Sequence, residues 1–169
     1  MNTAQTFESI TQLDWARYDA HFPVDGDLII QVLKGHLLVE NLFREILTLQ
    51  LAFPDVLKGN SGASFQCHQI ICLVQALTPH SDEEPWLWPA AKRLNNLRND
   101  IAHELEPRSV ETRVQELVQF TMRTPAAKQA VERVGVPDGR EFEVVIIGMC
   151  SCLSALKAVL VLNPEGLRA

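Results

Sequence analysis

The fold is decided by residues 27–52, which read DLIIQVLKGHLLVENLFREILTLQLA. Apolar side chains recur in this stretch at spacings of three and four residues, as on one face of a helix; they are Ile29, Leu33, Leu37, Leu38, Leu42, Ile46 and Leu49. Asp27 is a suitable N-cap before the first turn, and Pro54 stops the pattern. The stretch therefore predicts a long amphipathic helix that packs in a core.

The rest of the chain shows the same helical periodicity and no alternating strand pattern. Further helices are predicted over residues 64–77, from Pro85 to about residue 106, from Ser109 through Met122, from Thr124 to about Val134, and over residues 141–162. Residues 1–26 mix aromatic and acidic side chains and end in a turn, which predicts an N-terminal arm or short helix. We therefore expect an all-α bundle of about five to six helices over residues 27–169.

Length and charge narrow the classes of function. A chain of 169 residues with 47% hydrophobic residues is long and apolar enough for one ordinary globular domain. Its net charge of −6 argues against wrapping of long nucleic acid by bulk electrostatics, which needs clustered Lys and Arg, and leaves a small local contact with nucleic acid open. The charge is uneven, with a net −7 over residues 1–91 and +1 over residues 92–169. We expect an anionic ligand to prefer the second half.

One segment is long enough to cross a bilayer. Residues 144–162 are apolar except for a few small or polar positions and a single charge, Lys157. The position of that charge deep within the run, and the lack of aromatic anchors or a basic flank, favour a buried helix over a membrane span. The N-terminus has no secretory signal and the four cysteines form no CxxC pair, so we expect a cytoplasmic protein without membrane contact.

The predicted helix from Pro85 ends in an unusually polar run that contains Arg98 and His103. These residues are five positions apart, a rise of about 7.5 Å, so both side chains can reach one ligand. Arg98 lies at the edge of the apolar face and His103 nearly opposite its centre, with Asn95 and Asn99 between them, which predicts a polar groove along one flank. The alternative is an ordinary solvated helix face.

An arginine and a histidine in one groove suit the cleavage of RNA. The guanidinium is a permanent planar cation that can stabilise a phosphate or its transition state, and an imidazole can pass a proton in either direction near neutral pH. RNA supplies its own nucleophile in the 2′-hydroxyl, so internal transesterification needs a base, an acid and anion stabilisation but no metal.

The segment Arg98-Asn99-Asp100-Ile101-Ala102-His103 resembles the signature of the HEPN superfamily, in which an arginine is followed by a polar residue, three or more residues and a histidine. The context from Leu94 onward is also similar, and residues 33–42 look like first-helix segments of some members. The resemblance implies a HEPN-like helical domain over residues 27–169. It also implies a metal-independent endoribonuclease, commonly in a toxin, phage-defence or RNA-processing setting.

In that resemblance Arg98 and His103 are the catalytic residues, and Asn99 fills the polar position after the arginine. The implied partners are the RNA substrate, a second copy that completes a composite cleft, and an antitoxin or regulatory protein. One subgroup carries a tyrosine two residues after the histidine that an antitoxin modifies; Leu105 stands there in this chain, which argues against that regulation. Some members are inactive binding domains, and the acidic charge of the chain leaves that alternative open.

Other polar residues are candidates for supporting roles. We add Asn95, His36 and Glu40 to the site, although the spacing of His36 and Glu40 also suits a plain surface pair on the first long helix. His68 and Cys72 have metal-ligand spacing, but two ligands make a poor zinc site, so we expect no metal and no other cofactor. Trp86 and Trp88 stand between Pro85 and Pro89, and the pattern favours packing over base stacking.

Overall fold

The structure, a computed structural model, describes residues 3–57, 65–79, 81–103, 110–125, 128–129 and 139–163. It contains the helices α1 (Thr3–His21), α2 (Leu28–Gln50), α3 (Cys67–Leu77), α4 (Leu87–His103), α5 (Val110–Met122) and α6 (Glu141–Leu162). A 3-10 turn, Pro54–Leu57, follows α2, and the described residues include no strand. The prediction of an all-α bundle of five to six helices is confirmed.

Helix α2 runs through the middle of the bundle and packs on α6, α3 and α4. Asp27 caps it as predicted: the side-chain carboxylate accepts hydrogen bonds from the backbone N–H groups of Ile29 at 2.9 Å and Ile30 at 3.4 Å. Because helices pack on α2 from several sides, its buried residues extend beyond the single apolar face that the sequence predicts. The predicted core residues Leu37 and Leu49 are exposed, whereas Val32, Val39, Phe43 and Leu47 are buried.

Helix α2 passes close to α6 at Gly35. A Cβ atom at this position would lie 3.0 Å from the side chain of Ile146 and 3.4 Å from the ring of Phe22. Because both neighbours belong to the packed core, the absence of a side chain lets the two helix axes come together here.

Helix α6 is the apolar segment of the sequence. By length and composition it is long and apolar enough to cross a membrane, the one such helix among the described residues, but here it packs against α1, α2 and α5. The charge inside it is neutralised, because the Lys157 ammonium is hydrogen bonded to Asp14 of α1 and, at 2.9 Å, to Glu45 of α2. Ser154 donates a further hydrogen bond of 2.6 Å to the Asp14 carboxylate. This polar cluster ties α6 to two neighbouring helices.

The N-terminal segment, expected as an arm or short helix, is the 19-residue helix α1. It packs along α6 and places Tyr18 and Phe22 in the core, with their rings stacked at 5.0 Å. Trp86 and Trp88 are buried in the core as well, which confirms packing as their role.

Several predicted boundaries differ from the structure or lie outside it, and α4 begins at Leu87 rather than at Pro85. Helix α3 begins at Cys67 rather than at residue 64, after a capping box between Gln66 and Gln69. Leu105 and the predicted N-cap Ser109 lie outside the described residues, as does most of the helix expected from Thr124 to Val134.

Candidate active site

A polar cleft of about 360 Å³ lies between α2, the first turn of α3 and the second half of α4. All six predicted site residues line it: His36 and Glu40 from α2, and Asn95, Arg98, Asn99 and His103 from α4. Its remaining lining residues are Arg44, Gln66, Cys67 and His68. The packing of α4 on α2 therefore joins two polar segments that are about sixty residues apart in the sequence.

The floor of the cleft is a buried pair of polar side chains. The Nε2 atom of His36 lies 3.3 Å from Oδ1 of Asn95, and the two residues are 3% and 4% exposed. Since an amide oxygen only accepts hydrogen bonds, Nε2 carries the imidazole proton and donates it. The Nδ1 atom is then left with a lone pair, and it has no hydrogen-bond partner.

The surroundings of His36 favour the neutral form of its imidazole. Burial has the largest effect and lowers the pKa of the His36 imidazole from 6.5. The nearby guanidinium groups of Arg98 and Arg44 lower this pKa further. The negative charge of Glu40 and the hydrogen bond to Asn95 act in the opposite direction. A neutral imidazole with a free lone pair can accept a proton or coordinate a cation.

Glu40 forms the wall beside His36. Its Oε1 atom accepts hydrogen bonds from the Arg44 guanidinium, with distances of 2.5 Å to Nη2 and 3.0 Å to Nε. Its Oε2 atom lies 3.6 Å from Nδ1 of His36. The interpretation of His36 and Glu40 as a surface pair is wrong for His36, because α4 covers the imidazole with Asn95.

The rim of the cleft is formed by the end of α4. Arg98 is partly buried and donates a 3.1 Å hydrogen bond from Nη1 to Oδ1 of Asn99, which holds the guanidinium beside the cleft. His103, the last residue of the helix, is exposed. Asn95 differs from the prediction, since it is buried under α2 instead of lying on an open flank. The cleft thus runs from a buried floor to an exposed histidine.

Sequence reasoning missed two of the lining residues that matter chemically. Arg44 continues the four-residue spacing of His36 and Glu40, so this row on one helix face was the available signal. Cys67 had no local signal, because only the packing of α3 on α2 brings it to the cleft. Burial and the negative charge of Glu40 raise the pKa of the Cys67 thiol to about 12.

The cleft combines groups that suit an anionic ligand. The cleft holds two guanidinium groups, those of Arg44 and Arg98, against the single carboxylate of Glu40, and two exposed imidazoles, His68 and His103, also line it. The cleft can therefore bind a phosphate and exchange protons with it. No protein-family model, curated protein or solved structure matches this chain.

Proposed function

We propose that this protein is a metal-independent endoribonuclease of HEPN type, with Arg98 and His103 as its catalytic residues. One observation carries the proposal: the cleft brings the motif residues Arg98 and His103 of α4 together with a second guanidinium group, that of Arg44. These are the anion-binding and proton-transfer groups that RNA cleavage requires. A toxin or phage-defence role in the cytoplasm is the setting that the motif implies.

The proposed reaction is an internal transesterification. A base removes the proton of a ribose 2′-hydroxyl, and the oxygen attacks the adjacent phosphorus. The bond from phosphorus to the 5′-oxygen breaks, and this oxygen takes a proton as it leaves. The products are a 2′,3′-cyclic phosphate and a 5′-hydroxyl end. His103 exchanges the protons, and Arg98 stabilises the charge that develops on the phosphorane-like transition state.

Asn99 and the His36–Asn95 pair are positioning residues in this proposal. The hydrogen bond from Arg98 to Asn99 limits the rotation of the guanidinium, and the buried pair fixes the distance between α2 and α4. Glu40 orients Arg44 through its two hydrogen bonds. Such support matters because a catalytic group displaced by about 1 Å loses much of its effect.

The proposed active form is a homodimer. One chain supplies a single Arg98 and a single His103, and His103 is exposed at the rim. A two-fold axis beside this rim would bring two arginines and two histidines into one composite cleft. An antitoxin or regulatory protein that covers the same rim would block this composite cleft.

The chemistry of the products tests this proposal. Purified protein in EDTA should cleave an RNA oligonucleotide and leave a 2′,3′-cyclic phosphate, detected by mass spectrometry. The same oligonucleotide with a single 2′-deoxyribose at the mapped scission position should resist cleavage there. Scission at the deoxy position, or activity that EDTA abolishes and a divalent ion restores, would contradict the mechanism.

A second candidate function is a non-catalytic module that binds a nucleotide, an RNA end or a partner protein in the same cleft. The net charge of −6 favours it, because an acidic chain offers no broad basic path for RNA. Expression of the protein separates the two candidates. Growth inhibition that His103→Ala relieves supports the enzyme, whereas unaltered growth with nucleotide binding that survives His103→Ala supports the module.

A further inference from the structure

Three side chains of the cleft have their ligand atoms close together: a ring nitrogen of His36, a carboxylate oxygen of Glu40 and the sulfur of Cys67 lie within 4.8 Å of one another. We propose that these residues form a binding site for a divalent cation of the zinc class, with a fourth coordination position open to the cleft. The proposal concerns binding and is independent of the proposed ribonuclease activity.

His36 is arranged as a metal-binding histidine. Its Nε2–H is used by the oxygen of Asn95, and its Nδ1 is buried without a hydrogen-bond partner. Metal-ligating histidines commonly donate their second ring N–H to a carbonyl or carboxylate, which fixes the tautomer and directs the other nitrogen at the ion. A buried nitrogen with an unused lone pair otherwise costs free energy, because it has lost its hydrogen bond to water and gained no partner in the protein.

Glu40 is held in a suitable position for the same ion. Arg44 occupies Oε1, so Oε2 is the oxygen that faces His36 Nδ1, at 3.6 Å. Zinc bonds of about 2.0–2.3 Å in a tetrahedron place ligand atoms roughly 3.3–3.8 Å apart. The nitrogen and the oxygen already have this separation, and the Cys67 sulfur needs to approach them by at most about 1 Å.

The donor set points to zinc rather than to magnesium or calcium. Nitrogen, sulfur and one carboxylate oxygen are the ligands that zinc prefers, whereas magnesium and calcium take oxygen ligands almost throughout. Three protein ligands with an open fourth position leave room for a water molecule. The alternative pair on α3 is formed by the exposed His68 and the partly buried Cys72, with 3.7 Å between Nε2 and Sγ, and it has only two ligands.

Cobalt(II) is the probe for this site, because a tetrahedral cobalt–thiolate centre is coloured. The reduced, chelator-treated full-length chain is titrated with cobalt chloride in the absence of RNA. We expect visible d–d bands of tetrahedral intensity together with a near-ultraviolet sulfur-to-cobalt charge-transfer band, and displacement of both by one equivalent of zinc. Weak octahedral bands without the charge-transfer band would overturn the proposal.

Two cysteine variants locate the site. Cys67→Ser should abolish the charge-transfer band, and Cys72→Ser, a change five residues along on the same helix, should leave it unchanged. Both cysteines are partly buried, so the pair is matched in exposure, and circular dichroism checks that each variant is folded.

Two variants of Asn95 test the orientation of His36. Asn95→Asp, which keeps an oxygen acceptor for His36, should retain the band, whereas Asn95→Leu should weaken cobalt binding by about tenfold to a hundredfold. The opposite pattern, in which Cys72→Ser removes the band and Cys67→Ser keeps it, would overturn the proposal in favour of the pair on α3.

Discussion

Nε2 of His36 donates a buried hydrogen bond of 3.3 Å to Oδ1 of Asn95, and this bond joins the central helix α2 to the helix that carries Arg98 and His103. The two residues are 59 positions apart in the sequence. Each would be unfavourable alone in a core, since a buried polar group needs a partner. The pair is therefore both a packing contact and the floor of the candidate site.

Loss of this hydrogen bond should destabilise the protein. Asn95→Ala leaves the Nε2–H of His36 buried without an acceptor, which costs about 1–3 kcal/mol of unfolding free energy. Urea unfolding followed by circular dichroism measures the change. The control is Asn96→Ala, a change to the exposed neighbour on the same helix, which should stay within about 0.5 kcal/mol of the parent. Equal effects of the two variants would refute this role of the pair.

Removing one partner of the buried Lys157–Asp14 ion pair should destabilise the protein more than removing both partners. Lys157→Met leaves the Asp14 carboxylate, 6% exposed, without its cation and should cost about 3–5 kcal/mol. Adding Asp14→Leu to that variant removes the unpaired charge, so the double variant should be more stable than Lys157→Met alone. Thermal unfolding of the parent and both variants measures the order. A double variant less stable than the single one would contradict the account.

Tyr18 gives a spectroscopic test at high pH, because it is the only tyrosine in the chain. Burial, and secondarily the charge of Glu143, raise its pKa well above 10.0. The unfolded chain releases the phenol proton near pH 10.0, while the folded chain keeps it. The contribution of the neutral Tyr18 side chain to the free energy of unfolding is therefore complete below pH 10.0 and is lost as the pH rises above it.

Phenolate absorbance should therefore appear only together with the loss of helical circular dichroism. The same titration in denaturant should show an ordinary phenol transition near pH 10.0. A phenolate signal near that pH in a protein that keeps its helices would show that Tyr18 is accessible.

The sequence predicted the helices better than the contacts between them. Periodicity and the Asp27 cap located α2, and α6 was predicted at residues 141–162 with its observed bounds. The burial of Asn95 and the exposure of Leu37 depend on which helices lie beside α2 and α4, and local spacing carries no such information. Cys67 is missing from the predicted site for the same reason, since the packing of α3 alone brings it to the cleft.

Assembly is tested by mixing inactive subunits. If two protomers share one composite cleft, the protein should sediment as a dimer at micromolar concentration. A mixture of Arg98→Ala and His103→Ala subunits should then differ in RNA cleavage from either parent, because each mixed cleft keeps one residue of each kind. A monomer in sedimentation, or a mixture no different from its parents, would argue against the composite cleft.

The rate of RNA cleavage in EDTA, compared between four variants, shows whether Arg98 and His103 carry out the reaction. Arg98→Ala and His103→Ala should each lower the rate by about 100-fold or more, with helical circular dichroism unchanged. The matched controls Arg93→Ala, on the same helix but outside the cleft, and His21→Ala, at the exposed end of α1, should cleave at the parental rate. A parental protein without activity, or cleavage that survives both cleft substitutions, would contradict the assignment of Arg98 and His103 as catalytic residues.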